Sequence, residues 1–308
     1  MRRKFRLLPA ALGLLVLILD SRSAAAAAAE GIELCIRTVI PCLFPFFVLS
    51  IYLTGSAGGG TAAVWLSGFL GGYPVGAQAA AQAYRNGYIS RNHANRLLMF
   101  CSQAGPSFLF GMAAAQFPEA KYGWMLWAVQ ILSALSVAWM VPAGKAPPIA
   151  HGNPTPLSMP QAMKKAVHAM ASVCGWVVLF RVVIVFLQTW VFGRFPAFTG
   201  IAFSGLLELT NGCLLLREIQ DIPLRFFTAA LMLNFGGICV LMQTASVTEG
   251  LNIGKYILGK LMQTLFSTLW AALFLGKFYT LIPLFFILFL PSLRNLRKNS
   301  SIPAPVGV

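Results

Sequence analysis

Charged side chains are scarce in this chain. Asp, Glu, Lys and Arg together make up 10% of its 308 residues, and only eight residues are acidic. Hydrophobic residues make up 58% of the chain, and the mean hydropathy is +0.75. A water-soluble domain needs more polar side chains than this to cover its surface. The composition therefore excludes a soluble globular protein and predicts an all-α polytopic membrane protein that lies in a lipid bilayer.

Motifs for metal binding and for catalysis are also lacking. The six cysteines show no CxxC spacing and the three histidines are scattered, so we expect no metal site and no cofactor. The chain contains no GxSxG elbow, HExxH motif or phosphate-binding loop, which argues against an enzyme. The net charge is +15, but most Lys and Arg residues lie at the ends of apolar runs. This pattern indicates membrane orientation rather than nucleic-acid binding.

Apolar segments of membrane-spanning length predict about eight transmembrane helices. They lie at Leu7–Leu19, Thr38–Leu53, Leu97–Gln116, Trp124–Val141, Met170–Phe192, Phe226–Ala245, Lys255–Leu275 and Tyr279–Leu290. Two further segments, Ala63–Tyr84 and Ile201–Leu216, are rich in Gly and polar residues, which predicts re-entrant hairpins. The first apolar segment resembles a cleavable signal peptide, but we expect an uncleaved span because the rest of the chain is a membrane domain. Lys and Arg favour the predicted cytoplasmic loops when the N-terminus lies inside.

A proline-rich stretch divides the chain into two halves. We assign residues 1–22 to an N-terminal transmembrane or signal-anchor segment, 23–141 to a first repeat, 142–163 to a cytoplasmic linker, 164–292 to a second repeat and 293–308 to a basic cytoplasmic tail. Each repeat has the same order of parts: a span, a hairpin, and a span with a Gly-rich break. The second repeat is expected to be inverted relative to the first. Two inverted repeats of this kind are typical of secondary transporters.

The polar interruptions of the two halves predict a substrate site. Irregular backbone at membrane depth occurs where protein buries it or where it lines a water-filled cavity. Paired interruptions in corresponding places indicate the binding site of a transporter. The residues of these interruptions that we expect to line the site are Gly72, Tyr73, Pro74, Gly76, Ser102, Gln103, Gly105, Ser107, Glu208, Thr210, Asn211, Gly236, Gly237 and Gln243.

Two charged residues of the predicted membrane segments stand out. Arg181 lies in the middle of a span, where an arginine costs about 2.5–3.5 kcal/mol on insertion scales and therefore faces a partner or a cavity. Arg181 is predicted either to bind an anionic substrate or to form a structural ion pair with Glu208, and the two roles are compatible. Glu208 is in turn a candidate for hydrogen bonding to a ligand or for binding a coupling Na⁺ or H⁺.

Four ordered motifs resemble one family. GYPVGA (72–77), CSQAGP (101–106), GLLELTNG (205–212) and FGG (235–237) are similar to the sporulation integral membrane protein YlbJ family, part of the wider nucleoside-recognition (Gate) domain group. The resemblance implies a fold related to concentrative nucleoside transporters, with one re-entrant hairpin in each inverted repeat. It also implies that the chain moves dipicolinate, an aromatic dicarboxylate, across the outer forespore membrane during endospore formation.

Two other functions stay open at this point. A nucleoside or nucleobase permease would use Glu208 and Gln103 to hydrogen-bond a neutral ligand. A non-transporting membrane scaffold for spore envelope assembly would use Arg181 and Glu208 as structural residues. A homo-oligomer is compatible with each of these functions.

Overall fold

The computed structural model describes residue 11 and residues 13–56, 60–142, 157–191 and 197–276. Within these residues the regular elements are helices, as the composition predicts. We number the α-helices α1 (Ser21–Leu34), α2 (Ile40–Ser56), α3 (Thr61–Leu70), α4 (Val75–Arg85), α5 (Arg91–Leu98), α6 (Pro106–Phe108), α7 (Ala120–Met140), α8 (Met159–Trp190), α9 (Ala197–Leu207), α10 (Leu209–Leu215), α11 (Ile222–Phe235), α12 (Gly237–Val247) and α13 (Ile253–Phe274). The predicted span Tyr279–Leu290, the tail 293–308, part of Leu7–Leu19 and most of the linker lie outside the described residues.

Five helices of the described residues are long and apolar enough to cross a membrane. They are Ser21–Leu53, Ala120–Met140, Met159–Trp190, Ile222–Val247 and Ile253–Phe274. The chain is an integral membrane protein. Each of the five overlaps a predicted span, but the first begins at Ser21 rather than at Thr38. The alanine run 24–29 explains this difference, because alanine has the highest helix propensity and continues the helix towards the N-terminus.

The predicted span Leu97–Gln116 is not a continuous helix. Helix α5 ends at Leu98, and helical structure resumes only at Pro106. We call the irregular residues 99–105 break 1. A second interruption lies between α11 and α12 at Gly236, whose φ of 85° ends α11 in the left-handed region that favours glycine. We call it break 2. Both predicted Gly-rich breaks are therefore present.

Both segments that we predicted as re-entrant hairpins form helix pairs, which we call hairpins. Hairpin 1 consists of α3 and α4, joined by residues 71–74, where Gly72 has a φ of 75°. Hairpin 2 consists of α9 and α10 with Glu208 between them. Gly76, which we expected to line the site, lies in the first turn of α4.

The C-terminal boundary of the Pro-rich linker also differs from the prediction. Helix α8 begins at Met159, so residues 159–163 belong to this helix rather than to the linker. Ser158 forms a capping box with Gln161, and Pro160 lies in the first turn of the helix. The first turn tolerates proline, because its N–H would have no partner within the helix.

Each hairpin tip packs against the break that follows it in the chain. A Cβ atom added at Gly72 would lie 3.2 Å from the backbone nitrogen of Gly105, at the end of break 1. A Cβ atom added at Gly237 would lie 3.3 Å from the carbonyl oxygen of Leu206, at the end of α9. The backbone of each hairpin therefore packs directly on the backbone of the neighbouring break. These two contacts position the predicted site residues of the hairpins and breaks.

The α1–α2 segment runs antiparallel to α8. Gly31 of α1 packs on Val178, whereas Gly55 near the end of α2 packs on Leu157, just before α8 begins. Hydrophobic side chains of these helices, together with those of α7 and α11, form the main core cluster. The hairpins and breaks therefore pack against two long antiparallel segments, α1–α2 and α8.

The close contact of hairpin 1 with break 1 yields a stability prediction. A Cβ atom added at Gly76 would overlap the carbonyl oxygen of Cys101 and lie 2.6 Å from the Cα atom of Gly68. Gly76→Ala should therefore destabilise the protein by about 1–3 kcal/mol, as is typical of overpacking. Gly175→Ala is the matched control, because nothing lies within 4 Å of its added Cβ. Thermal unfolding of detergent-purified protein, followed by tryptophan fluorescence, compares the two variants; equal melting temperatures would contradict this packing.

Candidate functional site

The hairpin tips, the end of break 1 and helix α12 border a small central cavity of about 40 Å³. Six of the predicted site residues line it: Gly72, Tyr73, Gly105, Glu208, Thr210 and Gln243. Apolar side chains complete the wall, including Val39 and Leu43 of the N-terminal span and Val173 and Val177 of α8. The structure therefore brings together residues from both halves of the sequence in one mainly apolar cavity that has a few polar groups.

Glu208 is buried at the N-terminus of α10, with 2% of its surface exposed. Its carboxylate accepts hydrogen bonds from the backbone N–H of Thr210 (3.0 Å) and of Asn211 (2.8 Å), and from the side-chain amide of Asn211 (2.7 Å). A helix N-terminus favours a negative charge and provides free N–H donors. These bonds explain why a carboxylate is accommodated in an apolar segment.

Arg181 forms its ion pair with Glu30 of α1, at an Nη2–Oε2 distance of 2.6 Å. The Nη1 group of Arg181 donates to the side-chain oxygen of Asn211 (3.1 Å), and Asn211 in turn donates to Glu208. The predicted direct ion pair between Arg181 and Glu208 is therefore wrong. Glu30 precedes the predicted span Thr38–Leu53, but the helix that begins at Ser21 places it inside a candidate span. The absence of a side chain at Gly31 allows α1 to approach α8 beside this pair.

Arg181 and Asn211 face a second and wider cavity of about 430 Å³. Glu30, Glu33 and Arg37 also line this space, which we call the Arg181 cavity. Asn211 thus lies between the Arg181 cavity and the Glu208 carboxylate. The predicted substrate-binding residues Arg181 and Asn211 therefore line the Arg181 cavity and not the central cavity.

Four backbone carbonyl groups of break 1 accept hydrogen bonds from side chains. The side-chain amide of Gln263 donates to the carbonyl of Met99 (3.1 Å), and that of Gln103 donates to the carbonyl of Phe100 (2.7 Å). The side-chain amide of Gln130 donates to the carbonyl of Ala104 (2.8 Å), and the ammonium of Lys260 donates to the carbonyl of Ser102. The predicted site residues Ser102 and Gln103 therefore belong to the hydrogen-bond network of break 1 and do not line the central cavity.

Lys260 is a site residue that the sequence analysis missed. Only 2% of its surface is exposed, and its ammonium also donates to the hydroxyl of Tyr73 (2.9 Å) and to the side-chain oxygen of Gln263 (2.8 Å). The Tyr73 hydroxyl donates to the carbonyl of Leu233 in α11 (3.1 Å). The sequence signal was a lysine at the eighth position of an apolar helix, because an ionisable residue inside a membrane is by default a candidate functional residue.

The remaining predicted residues pack around the breaks. Gly236 faces the ring of Tyr73, since its added Cβ would lie 3.2 Å from the phenol oxygen. Gly237 meets the last carbonyl groups of α9. Pro74 is buried before the first residue of α4, and Ser107 is half-buried in α6. These residues shape the junction of hairpins and breaks.

Comparison with known proteins agrees with the motifs. The chain is 24% identical to the sporulation integral membrane protein YlbJ of Bacillus subtilis (strain 168), in an alignment of 322 residues that covers 82% of this chain and 78% of YlbJ. This similarity supports a relationship between the chain and the YlbJ family. No protein-family model matches the chain, and no solved structure matches it. The predicted resemblance to YlbJ is thus confirmed by a similarity that extends over most of both chains.

The partner of Arg181 can be tested by exchanging charges. Arg181→Glu and Glu30→Arg should each lower the melting temperature, and the double exchange should recover about 1 kcal/mol of coupling, as expected for a partly exposed pair. Arg181→Glu combined with Glu208→Arg should show no recovery, because Glu208 also caps α10. Thermal unfolding of the single and double variants measures these couplings; recovery with Glu208→Arg instead of Glu30→Arg would contradict the geometry.

Proposed function

We propose that this protein is a membrane transporter of a small anionic aromatic solute, and that dipicolinate, moved during endospore formation, is its substrate. The observation that carries this proposal is the alignment of three cavities along the long helices. A third cavity, of about 240 Å³, is lined by Lys165, by Ile51 and by polar residues of hairpin 1. We call it the Lys165 cavity.

Helix α8 passes all three cavities in order. Lys165 lines the first, Val173 and Val177 line the central cavity, and Arg181 lines the last. Sixteen residues separate Lys165 from Arg181, which corresponds to about 24 Å along a helix at 1.5 Å per residue. The central cavity therefore lies near the middle of this distance.

The N-terminal span passes the same cavities in the opposite order. Thr38 lines the Arg181 cavity, Val39 and Leu43 line the central cavity, and Ile51 lines the Lys165 cavity. This order follows from its antiparallel packing on α8. Along both α8 and the N-terminal span, a wide cavity lies at each end and the small central cavity lies between them. This arrangement suits alternating access around a fixed site.

The two hairpins separate the cavities. Gly72 and Tyr73 of hairpin 1 face the central cavity, while Val75 faces the Lys165 cavity. Thr210 of hairpin 2 faces the central cavity, while the adjacent Asn211 faces the Arg181 cavity. A cavity of about 40 Å³ has room for a few water molecules but not for an aromatic ring. Movement of one hairpin tip at a time would open the central cavity to one side.

Basic side chains along this route support an anionic solute. Lys165 lines one wide cavity, which has no acidic lining residue in the part of the chain that the structure describes, and the Lys260 ammonium lies 4.8 Å from the centre of the Tyr73 ring. In the other wide cavity Arg181 and Arg37 are paired with Glu30 and Glu33, so an anionic solute would compete with Glu30 for Arg181. Cationic groups at a cavity attract anionic solutes and raise their local concentration. The Tyr73 ring offers an aromatic surface against which a flat ring can stack. These features support dipicolinate, which is both anionic and aromatic.

A nucleoside or nucleobase is the second candidate substrate. Glu208, Thr210 and Gln243 all line the central cavity and offer hydrogen-bond donors and acceptors to a neutral ligand. In this case Gln243 would take the role that the sequence analysis gave to Gln103. We rank this candidate second because Lys165 lines one wide cavity without an acidic neighbour among its described lining residues, and because the Lys260 ammonium lies beside the Tyr73 ring.

Uptake of dipicolinate into proteoliposomes tests the proposal. Wild-type protein should show saturable uptake, and Arg181→Gln should lower its rate at least about tenfold, a loss of 1.4 kcal/mol, because it removes a cation from the route and a hydrogen bond from Asn211. Lys121→Gln is the matched control, since this exposed lysine pairs with Glu119 away from all three cavities.

Two other outcomes would overturn the assignment. Uptake of uridine but not of dipicolinate would establish the nucleoside permease instead. Uptake of neither solute by well-folded protein, under imposed sodium and proton gradients, would favour the membrane scaffold.

A further inference from the structure

We propose that the Lys260 ammonium is a resident cation that takes the place of a coupling ion between hairpin 1 and break 1, so that transport needs no sodium ion. This inference rests on the proposed transport function and concerns how the same site is driven. It starts from a lysine that lies inside a membrane span, is buried, and contacts three structural elements.

All three N–H donors of Lys260 are used within the protein. They donate to the carbonyl of Ser102 in break 1, to the hydroxyl of Tyr73 in hairpin 1 and to the side-chain oxygen of Gln263 in α13. A protonated lysine has three donors and no acceptor. Because none is left over, a substrate carboxylate could bind Lys260 directly only by displacing one of these oxygens. The geometry therefore indicates a built-in cation rather than a substrate ligand.

The three oxygens around Lys260 are of the kinds that bind a monovalent metal ion. A carbonyl of unwound backbone, a hydroxyl and an amide oxygen are all neutral oxygen ligands, and unwound carbonyls in broken helices coordinate Na⁺ in secondary transporters. Among the residues that the structure describes, no carboxylate lies within 4 Å of the ammonium. The positive charge is thus held by the same neutral oxygens that would hold a sodium ion.

Break 1 is also rich in unused acceptors. Within the described part of the chain, the buried side-chain oxygens of Gln103 and Gln130 have no hydrogen-bond donor. Both amides already donate to carbonyl groups of break 1. These two amide oxygens are therefore free to face a positive charge at break 1, beside the Ser102 hydroxyl, which also lacks a partner among these residues. Lys260 supplies that charge covalently, and the charge cannot leave during a transport cycle.

Removal of the lysine side chain should uncover a cation site, which can be measured without transport. Lys260→Ala protein should melt at least about 3 °C higher in sodium chloride than in choline chloride at equal ionic strength, because sodium would bind the folded state. Wild-type protein should show no such difference. Lys255→Ala is the matched control, because Lys255 is exposed in the first turn of the same helix. No sodium effect on folded Lys260→Ala would overturn the proposal.

The wild-type protein provides a test that does not depend on whether Lys260→Ala folds. Its dipicolinate uptake should proceed at the same rate when choline replaces sodium on both sides of the membrane. A sodium requirement would overturn the resident-cation proposal but leave dipicolinate transport intact. Conversely, if no solute is taken up but sodium stabilises Lys260→Ala, the proposed substrate fails while the cation site stands. The resident-cation proposal is therefore tested by sodium dependence, whereas the proposed substrate is tested by solute uptake.

Discussion

The free carbonyl groups of break 1 are the constraint on which the rest of the structure depends. A helix interrupted inside a membrane exposes backbone oxygens to a medium without water, and each must find a donor within the protein. Here Gln103, Gln130 and Gln263 donate to three of these oxygens, and Lys260 donates to another. Because Gln130 and Gln263 belong to α7 and α13, satisfying the break also fixes those helices around it.

Lys260 then connects the break to hairpin 1 through Tyr73, and Tyr73 connects hairpin 1 to α11 through the carbonyl of Leu233. One chain of hydrogen bonds thus links both halves of the protein at the wall of the central cavity. A second chain of hydrogen bonds starts at Glu208 of hairpin 2. Glu208 caps α10 and accepts from Asn211, which in turn accepts from Arg181. In the proposed transport cycle, a hairpin tip that moves would have to break contacts of this kind.

The sequence predicted the membrane class, both helix breaks and both hairpins, because glycine, proline and apolar runs act locally on the backbone. It also predicted six residues of the central cavity, since interruptions in corresponding places of two halves tend to meet. It did not predict the partner of Arg181, because the position of Glu30 depends on how far an alanine-rich helix extends and on which helix it packs against. The role of Lys260 was missed for a similar reason: two of its three oxygen ligands come from residues more than 150 positions away.

The most direct test of the account is whether the central cavity opens to each side of the membrane in turn. Thr210→Cys, in a variant whose native cysteines are replaced, places a single thiol at the cavity wall. A membrane-impermeant thiol reagent is applied from one side and then, in a separate sample, from the other. Alternating access predicts labelling from both sides, slowed in each case by dipicolinate. Labelling from neither side, in protein that is folded in the membrane, would contradict the account.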